Sequence, residues 1–156
     1  DQAGGKVLMQ LPAPAADGVL ARVIHHTALR TGVGSAITGL DRAQIGPTNI
    51  LAFRRIGRRV IAEFENPRYR ASQGSPEEQA AARDAFVGSS VWSGEVIATA
   101  PDGSVLIDIS SFVTRDAHGI APSLARSGQG TLRPVADLTL IDPAQARAFP
   151  DNVELE

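Results

Sequence analysis

The chain contains no cysteine. That removes disulfides, thiolate metal sites and thiol nucleophiles together, while leaving the redox compartment open. Aromatic residues make up only 4% of the sequence, so the core has to be assembled from Val, Ile, Leu and Ala. Of the 15 lysines and arginines only Lys6 is lysine, an excess of arginine that reads as codon usage rather than function. No apolar run approaches the roughly 20 residues of a membrane-spanning helix, so membrane insertion is not expected. The net charge is −2, which supplies no field to gather nucleic acid or an anionic membrane. No leader peptide is visible, and a start at Asp1 reads as a mature or trimmed product.

What remains is ordinary for a soluble globular domain: 43% hydrophobic and 21% charged residues in a chain of 156. A single domain of this size buries about 70% of the surface its unfolded chain exposes, enough for a real core.

Local signals give the elements. Lys6 to Leu11 and the branched run Val19 to Leu29 read as strands. Arg30 to Thr48, with four glycines and no sustained period, reads as a long loop, and long ordered loops often carry function. Asn49 to Asn66 is the clearest hairpin, with Gly57 as the left-handed residue of a type I turn. That turn places Leu51, Phe53 and Ile61 on one face, and Ala52, Val60, Ala62 and Phe64 on the other. Both faces would then be covered for part of their length. Ser75 caps a helix running to Ser89, with Pro76 at its first position, Glu78 closing a capping box, and Ala81, Ala82, Ala85 and Phe86 as its apolar stripe. A second hairpin spans Val91 to Val113 around Pro101-Asp102-Gly103. Leu132 to Ile141 reads as a further strand, and Asp142-Pro143 opens a short helix over 142–148 before a terminal strand begins.

Chemistry-bearing patterns are sparse. His25 and His26 are neighbours on a strand and point to opposite faces, so they cannot readily share a metal. His118 stands alone, and no His-x-x-x-His pair exists for zinc. "TGVGS" fails as a nucleotide loop: position 37 is Ile37 where a small residue is required, and no Lys-Ser/Thr follows. "RRIGRR" at 54–59 lacks aromatic platforms and is followed by Glu63 and Glu65, the pattern of a solvated, ion-paired hairpin tip. No Gly-x-Ser-x-Gly elbow occurs. The stretch "SSFVTRDAHGIAPSLARSGQG" packs Arg115, Asp116 and His118 together. Val113, Ala117, Ile120 and Leu124 share one helical face there, Thr114 suits the N-cap, and Ser127-Gly128 is a stop. Pro122 predicts a kink or two short turns within 114–127. The polar trio therefore reads as the solvent side of a helix entry rather than a catalytic set.

Several segments in order carry a resemblance: "GGKVLMQLP", "TGVGSAITGLDRAQIG", "LAFRRIGRRVIAEFEN.RYRA", "SSVWSGEVIA", "SSFVTRDAHGIA..L..SGQG" and "RAFPDNVELE". Together they resemble the uncharacterised domain upstream of the peptidase domain in large bacterial secreted zinc metalloproteases of metzincin-like type. The resemblance implies a periplasmic or secreted parent, a zinc endopeptidase whose metal sits on a His-Glu-x-x-His helix outside these residues. No catalytic or metal-ligating residue can be carried over, so this segment is expected to be non-catalytic and without cofactor, zinc belonging to the parent's catalytic domain.

The resulting expectation is one α+β domain: a twisted, mainly antiparallel sheet of hairpins, one clear helix at about 75–89, and shorter helices near 114–127 and 142–148. It would be a fragment of the larger protease, with a final strand missing and an open sheet edge able to pair between copies. Its expected partner is the peptidase domain of the same chain, or a protein or peptide substrate. An inhibitory pro-domain and a free-standing peptide- or glycan-binding module are the alternatives. A pro-domain without cysteine would block zinc with a carboxylate, Asp41 or Asp116, or by bulk. The candidate contact residues are Arg30, Gly34, Ser35, Asp41, Asp116 and His118.

Overall fold

The structure, a computed structural model, describes residues 5–68, 71–85 and 88–156. In chain order its elements are β1 (Leu8–Leu11), β2 (Val19–His25), β3 (Asn49–Ile56), β4 (Arg59–Phe64), α1 (Pro76–Ala85), β5 (Ser89–Thr99), β6 (Val105–Asp108), α2 (Ser110–Val113), α3 (Ile120–Arg126), β7 (Arg147–Ala148) and β8 (Val153–Glu154). Six strands form one sheet in the order β1-β6-β5-β4-β3-β2, and β7 pairs with β8. The pairs from β2 through β6 are antiparallel, so the α+β class holds in its broad form. The chain clusters into two compact units, one of residues 10–25 and 48–107, the other of residues up to Met9, 26–47 and 108–156.

The first unit holds β2 to β5, most of β6 and α1. Its tightest turn joins β3 to β4, where Ile56 pairs Arg59 across the two-residue loop Gly57-Arg58. Only Gly57 has a positive φ, +59°, the pattern of a type II′ turn rather than the expected type I. That difference in loop length shifts the register and changes who shares a face. Leu51, Phe53 and Arg55 lie opposite Phe64, Ala62 and Val60, while Ala52 and Arg54 lie opposite Glu63 and Ile61. Ile61 and Ala52 thus sit on one face, the reverse of the sequence reading.

Both faces are nonetheless covered at the hairpin base, because the consecutive residues Leu51, Ala52 and Phe53 are all buried. On the mixed face Arg22 and Glu63 flank Ala52 in one cross-strand row. Arg22 pairs with Asp17 and Glu65, and Arg54 with Glu63. Long aliphatic stems of paired arginines and glutamates cover the small alanine, which explains a buried residue on a polar face. The other face joins Leu51, Phe53, Val60 and Ala62 to Trp92, which stands opposite Ala62. A Cβ at Gly94 would lie 2.4 Å from the Trp92 ring, so glycine there makes room for the indole. Irregular registers at Val19/Ala21, Ala62/Glu63 and Val96/Ala98 each add local twist. The expected Pro-Asp-Gly turn closes β5 to β6: Gly103 (φ +85°) donates to Ala100, and Asp102 accepts from Ser104 N at 2.9 Å.

Helix α1 has the capping box read from sequence, with Ser75 N donating to Glu78 Oε2 at 2.7 Å and Glu78 N to Ser75 Oγ at 3.3 Å. It is shorter than expected, since Ser89 already begins β5. Ala81 and Ala85 are exposed and the half-covered positions are Gln79, Ala80 and Ala82; Phe86 lies outside the described residues.

The second unit differs more from expectation. The strand expected over Val19 to Leu29 ends at His25, and the long loop expected from Arg30 to Thr48 is present and closes on itself together with residues 26–29. Two limbs run together through Gly46 N to Thr27 O, Leu29 N to Gln44 O, Ala43 N to Leu29 O and Val33 N to Leu40 O. A single 3-10 turn at Ala36–Thr38 forms the tip, Leu40 is buried, and Gly32 passes so close to Leu40 O and Arg42 N that a Cβ would meet them at 2.6 and 2.7 Å. The strand expected to run to Val113 stops at Asp108, whose Oδ1 accepts from Ser110 N at 2.9 Å and starts α2. Of the helix expected at 114–127 only α3 forms, and α2 precedes that range. Thr114 ends α2 instead of capping a new helix, and α3 begins at Ile120, so Pro122 falls in the first turn where no intrahelical N–H is lost. The stop at Ser127-Gly128 holds, with Gly128 at φ +77° and Gln129 N donating to Leu124 O.

Leu132 to Ile141 carries a 3-10 turn at Ala136–Leu138 in place of a strand. The expected 142–148 helix does not form. Asp142 Oδ1 caps Ala144 N, one turn follows, and Arg147 enters β7. No side chain in this stretch is buried to reward a helix, and nucleation alone is unfavourable.

Candidate functional site

A cleft of about 490 Å³ opens in the second unit, and it contains two of the candidate residues, Asp116 and His118. Its walls combine α3, the 114–118 segment, the start of the 26–47 limb and the extended 132–134 segment. Apolar lining comes from Ala28, Ile120, Leu124, Leu132 and Pro134; polar lining comes from Thr27, Thr114, Thr139, Arg115 and Arg133.

His118 is held by Thr27, with Nδ1 to Oγ1 at 2.9 Å across 91 residues of sequence. Gly46 packs against this pair, where a Cβ would stand 2.4 Å from Thr27 Oγ1 and 3.2 Å from His118 Nδ1. Its amide donates to Thr27 O at 2.7 Å, so the backbone at Gly46 fixes the threonine that fixes the imidazole. Asp116 spends both carboxylate oxygens on the start of α3. They accept from Ile120 N at 2.7 Å and Ala121 N at 2.8 Å, replacing the cap that Gly119 (φ +77°) cannot provide. Half-buried Arg115 lies 3.7 Å over the Phe112 ring and donates to Phe112 O. Burial pushes the pKa of its guanidinium below its usual value.

The other candidates do not line the cleft. Arg30 Nη1 donates to both carboxylate oxygens of Glu156 at 2.7 Å. Gly34 sits at φ +70° with open space around it. Ser35 N-caps the 3-10 turn without a side-chain bond, and its carbonyl accepts from Thr38. Exposed Asp41 accepts from Gln44 N through its carbonyl and donates its amide N–H to Gln44 Oε1. These are contacts of a loop closing on itself. Thr27 and Arg133 were missed by sequence reading, and no short motif could have signalled a contact spanning 91 residues.

His25 is half-buried with its ring 5.4 Å from Phe64, and His26 is exposed. Among the described residues no group of three or more His, Cys, Asp and Glu side chains is placed to hold a metal ion. The arginine-rich turn is paired at Arg54–Glu63 and Arg59–Glu95, and Arg55 donates to Gly57 O. Among the described residues no helix is long and apolar enough to cross a membrane.

The chain belongs to the family described as Domain of unknown function (DUF5117), whose model matches residues 43–156. No curated protein and no solved structure matches the chain.

Proposed function

We propose that this DUF5117 domain is a non-catalytic accessory module of a larger, exported bacterial zinc metalloprotease. It would work by docking on the peptidase domain or on that domain's protein or peptide substrate. The zinc and the hydrolytic chemistry belong to the parent's catalytic domain in this reading. Its first support is the ordered sequence resemblance. The observation that carries it is a run of solvent-facing apolar side chains near the end of the chain. Leu138 and Leu140 are 82% and 84% exposed, and Leu132, Val135, Phe149 and Val153 each at least half exposed. Comparable exposure occurs elsewhere, as at Ile24, Ile37 and Ile45, but Leu138 and Leu140 are the most exposed of these side chains among the described residues and lie two apart, which offers a contact point for a partner. The polar trio 115–118 supports the same reading, because its groups are committed to local structure: Asp116 to α3, His118 to Thr27 and Arg115 to Phe112.

The test adds this chain in trans to the peptidase portion of the same parent and measures association calorimetrically alongside turnover of a protein substrate. Micromolar binding, lost in a Leu138→Asp, Leu140→Asp double variant, is expected. Lack of association at about 1 mM, where binding is worth only about 4 kcal/mol, would refute docking. A fall in turnover would reassign the domain as an inhibitory pro-domain.

A further inference from the structure

The cleft has chemistry that the docking reading does not use. Arg115 and Arg133 bring positive charge to its lining, whereas its one carboxylate, Asp116, already accepts two amide protons from α3. Thr114 Oγ1 donates to Ser110 O at 3.1 Å and Thr139 Oγ1 to Val135 O at 2.9 Å. Each hydroxyl proton is therefore spent inside the protein, and each oxygen is left as an acceptor. Ala28, Ile120, Leu124, Leu132 and Pro134 line the same cleft, and the volume of about 490 Å³ falls in the ordinary range for ligand clefts.

We propose that this cleft binds the free C-terminus of a short peptide with an apolar last residue, the terminal carboxylate pairing with Arg133, the last side chain lying on the wall of Ile120, Leu124 and Leu132, and peptide N–H groups donating to Thr114 and Thr139. The combination selects this ligand class. Guanidinium pairs a carboxylate through two parallel hydrogen bonds. A C-terminal residue is the one place in a peptide where a carboxylate and an apolar side chain share a single α-carbon. A fatty acid satisfies the cation and the apolar wall but brings no donors for the two hydroxyl oxygens, which it would cover without partners. Thr27 holds His118 by Nδ1, leaving Nε2 as the ring's remaining polar atom beside the same cleft.

The test uses this chain alone, so its outcome stands apart from whether the domain docks on a peptidase. An N-terminally fluorescein-labelled, alanine-rich peptide ending in a free leucine is titrated by anisotropy, beside its C-terminal amide and with dodecanoate as competitor. The free acid is expected to bind about tenfold more tightly than the amide, equivalent to about 1.4 kcal/mol. Arg133→Ala should abolish that preference and Arg133→Lys should keep part of it. Arg133 is exposed, so both variants should fold, which far-UV circular dichroism checks. Equal binding of acid and amide, no anisotropy rise at millimolar protein, or an Arg133→Ala variant that keeps the preference would overturn the proposal. Displacement by dodecanoate as readily as by unlabelled peptide would assign the cleft to fatty acids and overturn it equally.

Discussion

Replacing Asp116 with alanine separates a structural carboxylate from a functional one. Its two oxygens accept from Ile120 N and Ala121 N at 2.7 and 2.8 Å. Loss of a helix cap costs roughly 0.5–2 kcal/mol. Two bonds to an ionised acceptor place this one in the upper half, at about 1–2 kcal/mol. In a chain of this length that corresponds to a melting shift of at most about 2–8 °C. The shift is an upper bound because α3 contains no buried residue, so it can open before the rest of the fold and hide part of the loss from a global melt. Amide hydrogen exchange is therefore the decisive assay. Ile120 and Ala121 should exchange about 5–30-fold faster in Asp116→Ala, the ratio that 1–2 kcal/mol implies. Asp116→Asn, which keeps one acceptor oxygen, should fall between. Unchanged protection of both amides in Asp116→Ala would refute the capping role and return Asp116 to the list of groups available for ligand or metal.

Other perturbations report on other parts of the structure. Gly46→Ala places a methyl 2.4 Å from Thr27 Oγ1, and should lower the urea midpoint by an amount equivalent to about 1–3 kcal/mol, as overpacking does; an unchanged midpoint would show that the Thr27–His118 contact is not formed. Gly94→Ala displaces the ring of Trp92, the chain's single tryptophan, so intrinsic emission should shift with little change elsewhere in the spectrum. Arg30→Ala removes an ion pair whose side chains are 61% and 48% exposed and should leave the urea midpoint essentially unchanged, since solvent screens such a pair; a clear drop in the same denaturation curves would contradict this. The carboxyl of Asp17 is held below its usual value by its hydrogen bond to Arg22, that of Asp102 by the Ser104 amide, and that of Asp108 by Ser110. A folded-state value below the unfolded one gives stability present above about pH 3.9 and lost as pH falls further. Acid titration should therefore be flat from neutrality to about pH 5 with respect to these groups, then fall; a loss already at pH 6 would contradict the assignment.

Short-range signals in the sequence translated well into structure. The capping box at Ser75–Glu78 and the turn at 101–103 each depend on a few adjacent residues, and both occur as read. Register was harder, because one residue more or less in the Gly57 turn exchanges the faces of the hairpin, and Gly57 suits either length. Arg30 to Thr48 is a loop as read, but its self-closure was not legible, because backbone bonds such as Leu29 to Gln44 leave no periodic side-chain pattern. Asp142-Pro143 did start a turn, but the sequence could not show that no packed face follows to extend it. Of the candidate contact residues, Asp116 and His118 reach the cleft; Asp116 is set by its neighbours Ile120 and Ala121, whereas the setting of His118 depends on Thr27 and Gly46, far away in the chain.

No residue from Val113 to Glu156 is fully buried. This segment, more than half of the second unit, is stitched by main-chain bonds such as Asp142 N to Glu156 O at 2.8 Å and Phe149 N to Asn152 O at 2.8 Å. Such a segment can come undone at a small fraction of the global unfolding free energy, so proteases should nick it while the sheet is still whole. Any binder that shields Leu138 and Leu140 would tighten it by mass action, and the midpoint of its local melting would climb with the binder's concentration.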